Sequence, residues 1–139
     1  MSYDEKGTWA YLVASTVAYL VYLAIVGDRL AHTSVAQVSY VAVLLWTGAA
    51  SALVSTVVRT LIETASPSDS RKSDVRDKEI YRHGEYVSRW FIVAGAGGAL
   101  IMAMVRLDYF WIANVIYLGF VLWAVVGSAV KLVAYRQGL

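Results

Sequence analysis

The chain contains no cysteine among its 139 residues, and this absence excludes several kinds of chemistry at once. Without thiols there is no disulfide, no thiolate metal ligand and no thiol redox centre, which rules out iron–sulfur carriers and thiol-dependent oxidoreductases. Charge is also scarce, at 16% of residues, whereas soluble domains carry about a quarter. A hydrophobic fraction of 59% therefore places the chain among membrane proteins.

The apolar residues fall into four long stretches, and a helix needs about 20 such residues to cross a bilayer. Arg89 and Arg106 can reach the two interfaces from the ends of the third, shorter stretch. The predicted fold class is an all-α membrane protein, a single domain of four transmembrane helices arranged as two helical hairpins. We predict spans at about 8–27, 34–60, 88–106 and 109–131, with a charged connector over 63–88.

Most of the charge of the chain lies in this connector, where acidic and basic residues alternate. Pro67, the one proline, stands where helix two must end. After it, Ser73 or Asp74 is a suitable N-cap, and Glu85 with Arg89 forms an i,i+4 pair in the favoured order. We therefore predict a charged helical extension that runs into helix three without a break.

The distribution of basic residues predicts the orientation of the chain. Ten of the twelve Lys and Arg residues lie on the side of the termini and the connector, and only Arg29 and Arg106 lie on the other side. By the positive-inside rule, both termini and the connector are cytoplasmic. The expected location is the inner membrane of a prokaryotic cell.

An internal repeat is indicated when the chain is shifted against itself by 77 positions. The shift places Arg29 on Arg106 and Trp46 on Trp123, among other identities. Two hairpins that both start inside would be parallel repeats, related by a pseudo-twofold axis along the membrane normal.

Matched polar residues of this repeat predict a polar cluster just inside the outer face. Such a cluster either binds a headgroup or small polar ligand, or supplies ordinary interhelical hydrogen bonds, which is the interpretation we favour. Small residues let helix backbones approach closely, and we expect them to pack within the bundle or in a dimer and not to line a ligand cavity. They are Gly95, Gly97 and Gly98 in helix three and Gly119, Gly127 and Ser128 in helix four. The members of the predicted cluster are Gln37, Tyr40, Asn114 and Tyr117.

No catalytic constellation, cofactor motif or metal site is predicted. Glu79 and His83 have i,i+4 spacing, but two ligands do not complete a site, and His32 lies on the other side of the bilayer. The spans have no central acidic or basic residue of the kind that marks ion relays, which disfavours a proton-coupled antiporter. The basic residues form no continuous face, so nucleic acid is not an expected direct partner.

The string Asp74-Val75-Arg76-Asp77-Lys78-Glu79-Ile80 stands between the two hairpins. It resembles the Asp-Glu-Arg-Asp-x-x-Ile loop of small four-span prokaryotic membrane proteins grouped as domain of unknown function 2178, with Val75 in place of the usual Glu. The resemblance implies a bacterial or archaeal membrane protein without an assigned activity, in a family whose members accompany small helix-turn-helix regulators. It carries over no catalytic residue.

These observations lead to two hypotheses about function. The first is a non-enzymatic interaction or regulatory subunit embedded in the lipid bilayer. It acts as a homo-oligomer or as a companion of another membrane or cytoplasmic protein, and its connector recognises the partner. The second is an oligomeric transporter or channel for ions or small molecules, lined by polar side chains. The candidate partner-binding residues are Asp74, Arg76, Asp77 and Glu79.

Overall fold

The computed structural model describes residues 3–65 and 75–138, which contain four helices and no strand. Each helix is long and apolar enough to cross a membrane. The chain therefore has the architecture of a multi-pass membrane helical bundle. The helices are α1 (Tyr3–His32), α2 (Val41–Ala65), α3 (Val75–Met104) and α4 (Tyr109–Gln137).

Helices α1 and α4 form the central pair, with α2 packed on α1 and α3 packed on α4. Helix α2 lies at the edge of the bundle, and Thr47 is the one residue of this helix that is buried. Elsewhere on α2, Leu45, Trp46 and Leu53 are each more than 60% exposed. Apolar side chains of a membrane helix do not need protein neighbours, because lipid tails are equally apolar.

Helix α2 begins later than its predicted start at residue 34. Residues 33–40 form a turn in which the backbone N–H groups of Gln37 and Val38 both donate to the Ser34 carbonyl, at 3.0 Å. The Arg29 guanidinium donates to the Ser39 carbonyl and so satisfies a backbone acceptor that helix formation would otherwise use. Val38 is buried against Tyr22 and anchors the turn to α1.

The second turn, between α3 and α4, is shorter and closes in a Schellman-type motif. Arg106 has a positive φ of 58°, its N–H donates to Ala103, and the N–H of Leu107 donates to Met102. Asp108 then caps α4, because its side chain accepts from the Phe110 N–H at 2.9 Å. The 77-residue shift therefore pairs residues of a long turn in the first hairpin with helical residues in the second.

Glycine allows α3 and α4 to approach closely. A methyl group built on Gly95 would lie 3.2 Å from the Gly119 Cα, and one built on Gly119 would lie 3.0 Å from the Phe91 carbonyl oxygen. A methyl group built on Gly97 would meet no atom within 4 Å, so Gly97, although one of the small residues predicted to pack, makes no such contact within the described part of the bundle. Gly95 and Gly119 thus act as packing residues, in agreement with the preference for small residues at helix contacts.

Helix α3 is continuous from Val75 to Met104, and its charged first half divides into three stripes at helical spacing. The packing stripe (Ile80, Gly84, Ser88) is buried. The cavity stripe (Lys78, Tyr81, Arg82, Glu85) faces a space between the helices. The outward stripe (Arg76, Glu79, His83, Tyr86) is exposed. Asp74 and the predicted cap at Ser73 or Asp74 lie outside the described residues.

Candidate functional site

The four residues of the predicted polar cluster lie at the same end of the bundle but in different settings. Gln37 is exposed in the first turn, whereas Asn114 lies half-buried in α4. The Tyr40 ring packs edge-on against Phe110, with centroids 5.1 Å apart. Tyr117 and Tyr40 both pack against one buried cluster, which consists of Tyr22, Val26, Val38 and Phe110. Three of the four residues therefore join the bundle core and Gln37 does not.

Hydrogen bonds engage the side chains of Asn114 and Tyr117 in this region. The Tyr22 hydroxyl donates to Asn114 Oδ1 at 2.6 Å, and Asn114 Nδ2 donates to the Phe110 carbonyl at 2.8 Å. The hydroxyls of Thr47 and Tyr117 are 2.9 Å apart. In the described part of the chain, no buried side-chain polar atom lacks a partner. This arrangement is that of interhelical bonding, the interpretation favoured above.

A polar cavity of about 540 Å³ lies at the opposite end of the bundle, where the chain termini are found. All four helices contribute to its wall, so residues from the two ends of the sequence meet there. Four basic and three acidic side chains face it, together with tyrosines and one tryptophan. The lining residues are Asp4, Gly7, Thr8, Tyr11, Arg59, Asp77, Lys78, Tyr81, Arg82, Glu85, Trp123, Ala124, Gly127, Ser128, Lys131 and Tyr135.

An ion pair between α3 and α4 forms one wall of the polar cavity. Lys131 Nζ lies 2.7 Å from Glu85 Oε1, and the two side chains are 13% and 26% exposed. The indole N–H of Trp123 donates to the other carboxylate oxygen at 3.2 Å. Lys131 Nζ also lies 4.0 Å from the centroid of the Tyr81 ring, a cation–π contact. Both charges are therefore compensated by partners held on rigid helices.

The opposite wall carries a looser pair between α1 and α2. Arg59 Nη2 lies 3.8 Å from Asp4 Oδ1, and the Arg59 side chain is 61% exposed. An exposed pair at this distance contributes little to stability, about 0 to 1 kcal/mol. The Arg59 guanidinium also contacts Tyr3, with its Cζ 5.9 Å from the centroid of the ring.

The cavity stripe of α3 supplies two further cations. Lys78 and Arg82 are both exposed, and neither makes a hydrogen bond or ion pair with the described residues. Asp77, a predicted partner-binding residue, is half-buried and lines the polar cavity beside them. Uncompensated positive charge is thus concentrated on the α3 side of the cavity.

The outward stripe holds the other predicted partner-binding residues. Arg76 and Glu79 are exposed. His83 follows Glu79 by one turn, but among the described residues no group of three or more His, Asp or Glu side chains is arranged to hold a metal ion. The chemistry that the outward stripe offers is recognition through charge and aromatic contact.

Sequence reasoning missed most of the polar cavity. The i,i+4 rule pairs Glu85 with Arg89, whereas the structure pairs Glu85 with Lys131 on α4, and Arg89 lies over the Tyr86 ring. One signal was present: Arg59 and Lys131 are the first charges after two apolar stretches that end on the same predicted side. Comparison with known proteins adds no assignment, because no family model, no curated protein and no solved structure matches the chain.

Proposed function

We propose that the protein is a non-enzymatic interaction or regulatory subunit of a prokaryotic inner membrane, which binds a partner through the outward stripe of α3. It acts as a homo-oligomer or as a companion subunit of another protein. Both termini and the charged half of α3 face the cytoplasm in this proposal. The resemblance to the domain of unknown function 2178 family supports it, since that resemblance implies a four-span protein that accompanies regulators.

The observation that carries the proposal is that the three stripes of α3 have different surroundings. The packing stripe is buried in the bundle, and the cavity stripe lines the polar cavity. The outward stripe presents opposite charges at Arg76 and Glu79 and an exposed aromatic ring at Tyr86. Exposed ion pairs add little stability, so fold maintenance gives little reason for this pattern. Recognition of a partner is the better physical explanation.

The repeated hairpin belongs to the proposal as well. Beyond the first turn, the aligned residues Trp46 and Trp123 both lie in helices, as do Ser51 and Ser128. Their environments differ, because Trp46 is 76% exposed while Trp123 donates to Glu85. We infer an ancestral duplication in which the second hairpin acquired the polar partners of the cavity.

Charge reversal on the outward stripe tests the proposed function. The double substitution R76E with E79R conserves net charge and leaves the packing stripe and the cavity stripe untouched. We expect the wild-type protein to co-purify with a defined cytoplasmic partner after crosslinking in cells, and the reversed protein to lose that partner while its thermal unfolding midpoint is unchanged.

A matched control uses the other end of the molecule. The substitutions D28K with R106E also conserve net charge, at two exposed positions far from α3's charged half. This control is expected to retain the partner. Equal capture by all three proteins would remove the support for the outward stripe as the recognition surface.

A further inference from the structure

We propose that the polar cavity binds the phosphate group of an anionic ligand, carried either by a phospholipid headgroup or by a small soluble phosphate ester. The site is formed where the guanidinium groups of Arg59 on α2 and Arg82 on α3 face one cavity between the helices. This inference is independent of the outward stripe, which lies on another side of α3.

The charge balance of the polar cavity favours an anion. Of the three acidic residues in its wall, Glu85 is neutralised by Lys131 at 2.7 Å, and Asp4 lies 3.8 Å from Arg59. The other charged lining residues are Lys78, Arg82 and Asp77, so the described lining carries one positive charge in excess. Cationic pockets between transmembrane helices on the cytoplasmic side are established binding places for anionic headgroups.

The kind of cation favours phosphate among anions. A guanidinium presents a rigid fork of donors that matches two phosphate oxygens, whereas an ammonium acts as a point charge. Arg82 makes no hydrogen bond or ion pair with the described residues, whereas Arg59 contacts Asp4 at 3.8 Å and the Tyr3 ring, whose centroid is 5.9 Å from its Cζ. The Arg82 guanidinium is therefore available, Arg59 offers the donors that Asp4 and Tyr3 leave, and Lys78 adds a third cation on the same wall as Arg82.

The size and the aromatic lining of the polar cavity fit a headgroup-sized ligand. A volume of about 540 Å³ lies within the range of small-molecule sites, about 300 to 1,000 Å³. Trp123 and Tyr11 line the cavity next to the apolar spans, and Asp4 and Lys78 line it towards the helix ends. Tryptophan and tyrosine are the residues that proteins place at headgroup level.

Binding is tested with the purified full chain in two arms. In the lipid arm, native mass spectrometry of protein exchanged into mixed micelles compares retention of phosphatidylglycerol with retention of phosphatidylcholine. In the soluble arm, calorimetry compares glycerol 3-phosphate with acetate, an anion that has no phosphate. We expect a preference for phosphate-bearing anions of about tenfold, the effect of roughly one additional charge-assisted contact, in one arm or in both. A preference in one arm alone identifies the source of the phosphate. A preference in both arms means that the site recognises the phosphate group itself.

Two pairs of substitutions separate a site from general attraction to anions. R59Q with R82Q removes both forks and is expected to abolish the preference. K6Q with R89Q removes the same charge at exposed positions outside the cavity lining and is expected to retain it. R82Q alone serves if the double variant fails to fold, because the Arg82 side chain makes no hydrogen bond or ion pair with the described residues.

Asp77→Asn distinguishes an anion site from a site for a ligand that also carries an amine. Removing this acidic group from the cavity wall is expected to tighten phosphate binding several-fold, because a like-charge repulsion is lost. Weaker binding after Asp77→Asn would overturn the proposal, as would an equal loss in the R59Q/R82Q and K6Q/R89Q proteins or the absence of any preference in both arms.

Discussion

Lys131 reaches across the interface of α3 and α4 to place its Nζ 2.7 Å from Glu85 Oε1, and its stem runs directly over Gly84, the residue before Glu85. A methyl group at Gly84 would lie 2.5 Å from Lys131 Cγ and 3.0 Å from the Gly127 carbonyl oxygen. The absence of a side chain at residue 84 is therefore what allows the lysine to reach the carboxylate.

Gly84→Ala is predicted to displace Lys131 from Glu85 and to lower the free energy of unfolding by about 1 to 3 kcal/mol, the usual effect of overpacking. The lysine stem can move, but the Gly127 backbone cannot move without shifting α4. Thermal unfolding in detergent micelles measures the loss. Gly97→Ala is the control, since residue 97 has no neighbour within 4 Å, and it is expected to leave the midpoint unchanged or slightly higher.

Gly119→Ala is predicted to push α3 and α4 apart deeper in the bundle. The added methyl group would meet the Phe91 carbonyl at 3.0 Å and the Gly95 Cα at 3.3 Å, both backbone atoms. We expect a loss of about 1 to 3 kcal/mol in the free energy of unfolding. A wild-type midpoint for this variant would show that the two helices do not pack through these glycines.

The ion pair itself is tested by a double-mutant cycle of Glu85→Gln and Lys131→Gln. Because the two side chains are only 26% and 13% exposed, the coupling is expected to exceed that of a surface pair, at about 0.5 to 3 kcal/mol. Each single variant leaves a poorly solvated charge without its partner, and the double variant recovers part of the loss. Additive single effects would mean that the two residues do not interact in the folded protein.

At the other end of the bundle, Tyr22→Phe removes the donor of a 2.6 Å hydrogen bond to Asn114. Tyr22 is fully buried, so water cannot replace the lost partner, and we expect a loss of about 1 kcal/mol. Tyr86→Phe is the matched control, because the Tyr86 side chain is 60% exposed. Equal midpoints for the two variants would contradict a structural role for the Tyr22 hydroxyl.

Hydropathy was sufficient to predict four spans, because the cost of placing charge in lipid fixes where apolar runs must end. It did not locate the start of α2, since residues 33–40 carry no charge and their turn depends on Arg29 and on packing against Tyr22. This turn also explains why Gln37 is exposed while Asn114, its aligned residue in the repeat, is half-buried in a helix. Sequence similarity alone does not distinguish the two positions.

The polar cavity was not predicted because its contacts join distant parts of the chain. Glu85 and Lys131 are 46 positions apart, and Arg59 comes from a helix that touches the others mainly through α1. The i,i+4 rule considers only residues one helical turn apart, so it predicted an ion pair between Glu85 and Arg89. The orientation rule, applied to Arg59, Arg82 and Lys131 together, predicts that these charges share one end of the bundle but not that they share one cavity.

The orientation of the charged half of α3 is the claim on which the proposed function depends most directly. Because the chain has no cysteine, single cysteines at Thr33 and Glu79, both exposed, give unambiguous labelling sites. We predict that a membrane-impermeant maleimide labels Thr33→Cys on intact cells, and labels Glu79→Cys only after the membrane is permeabilised. Labelling of Glu79→Cys on intact cells would place the outward stripe outside the cell and contradict its role in binding a cytoplasmic partner.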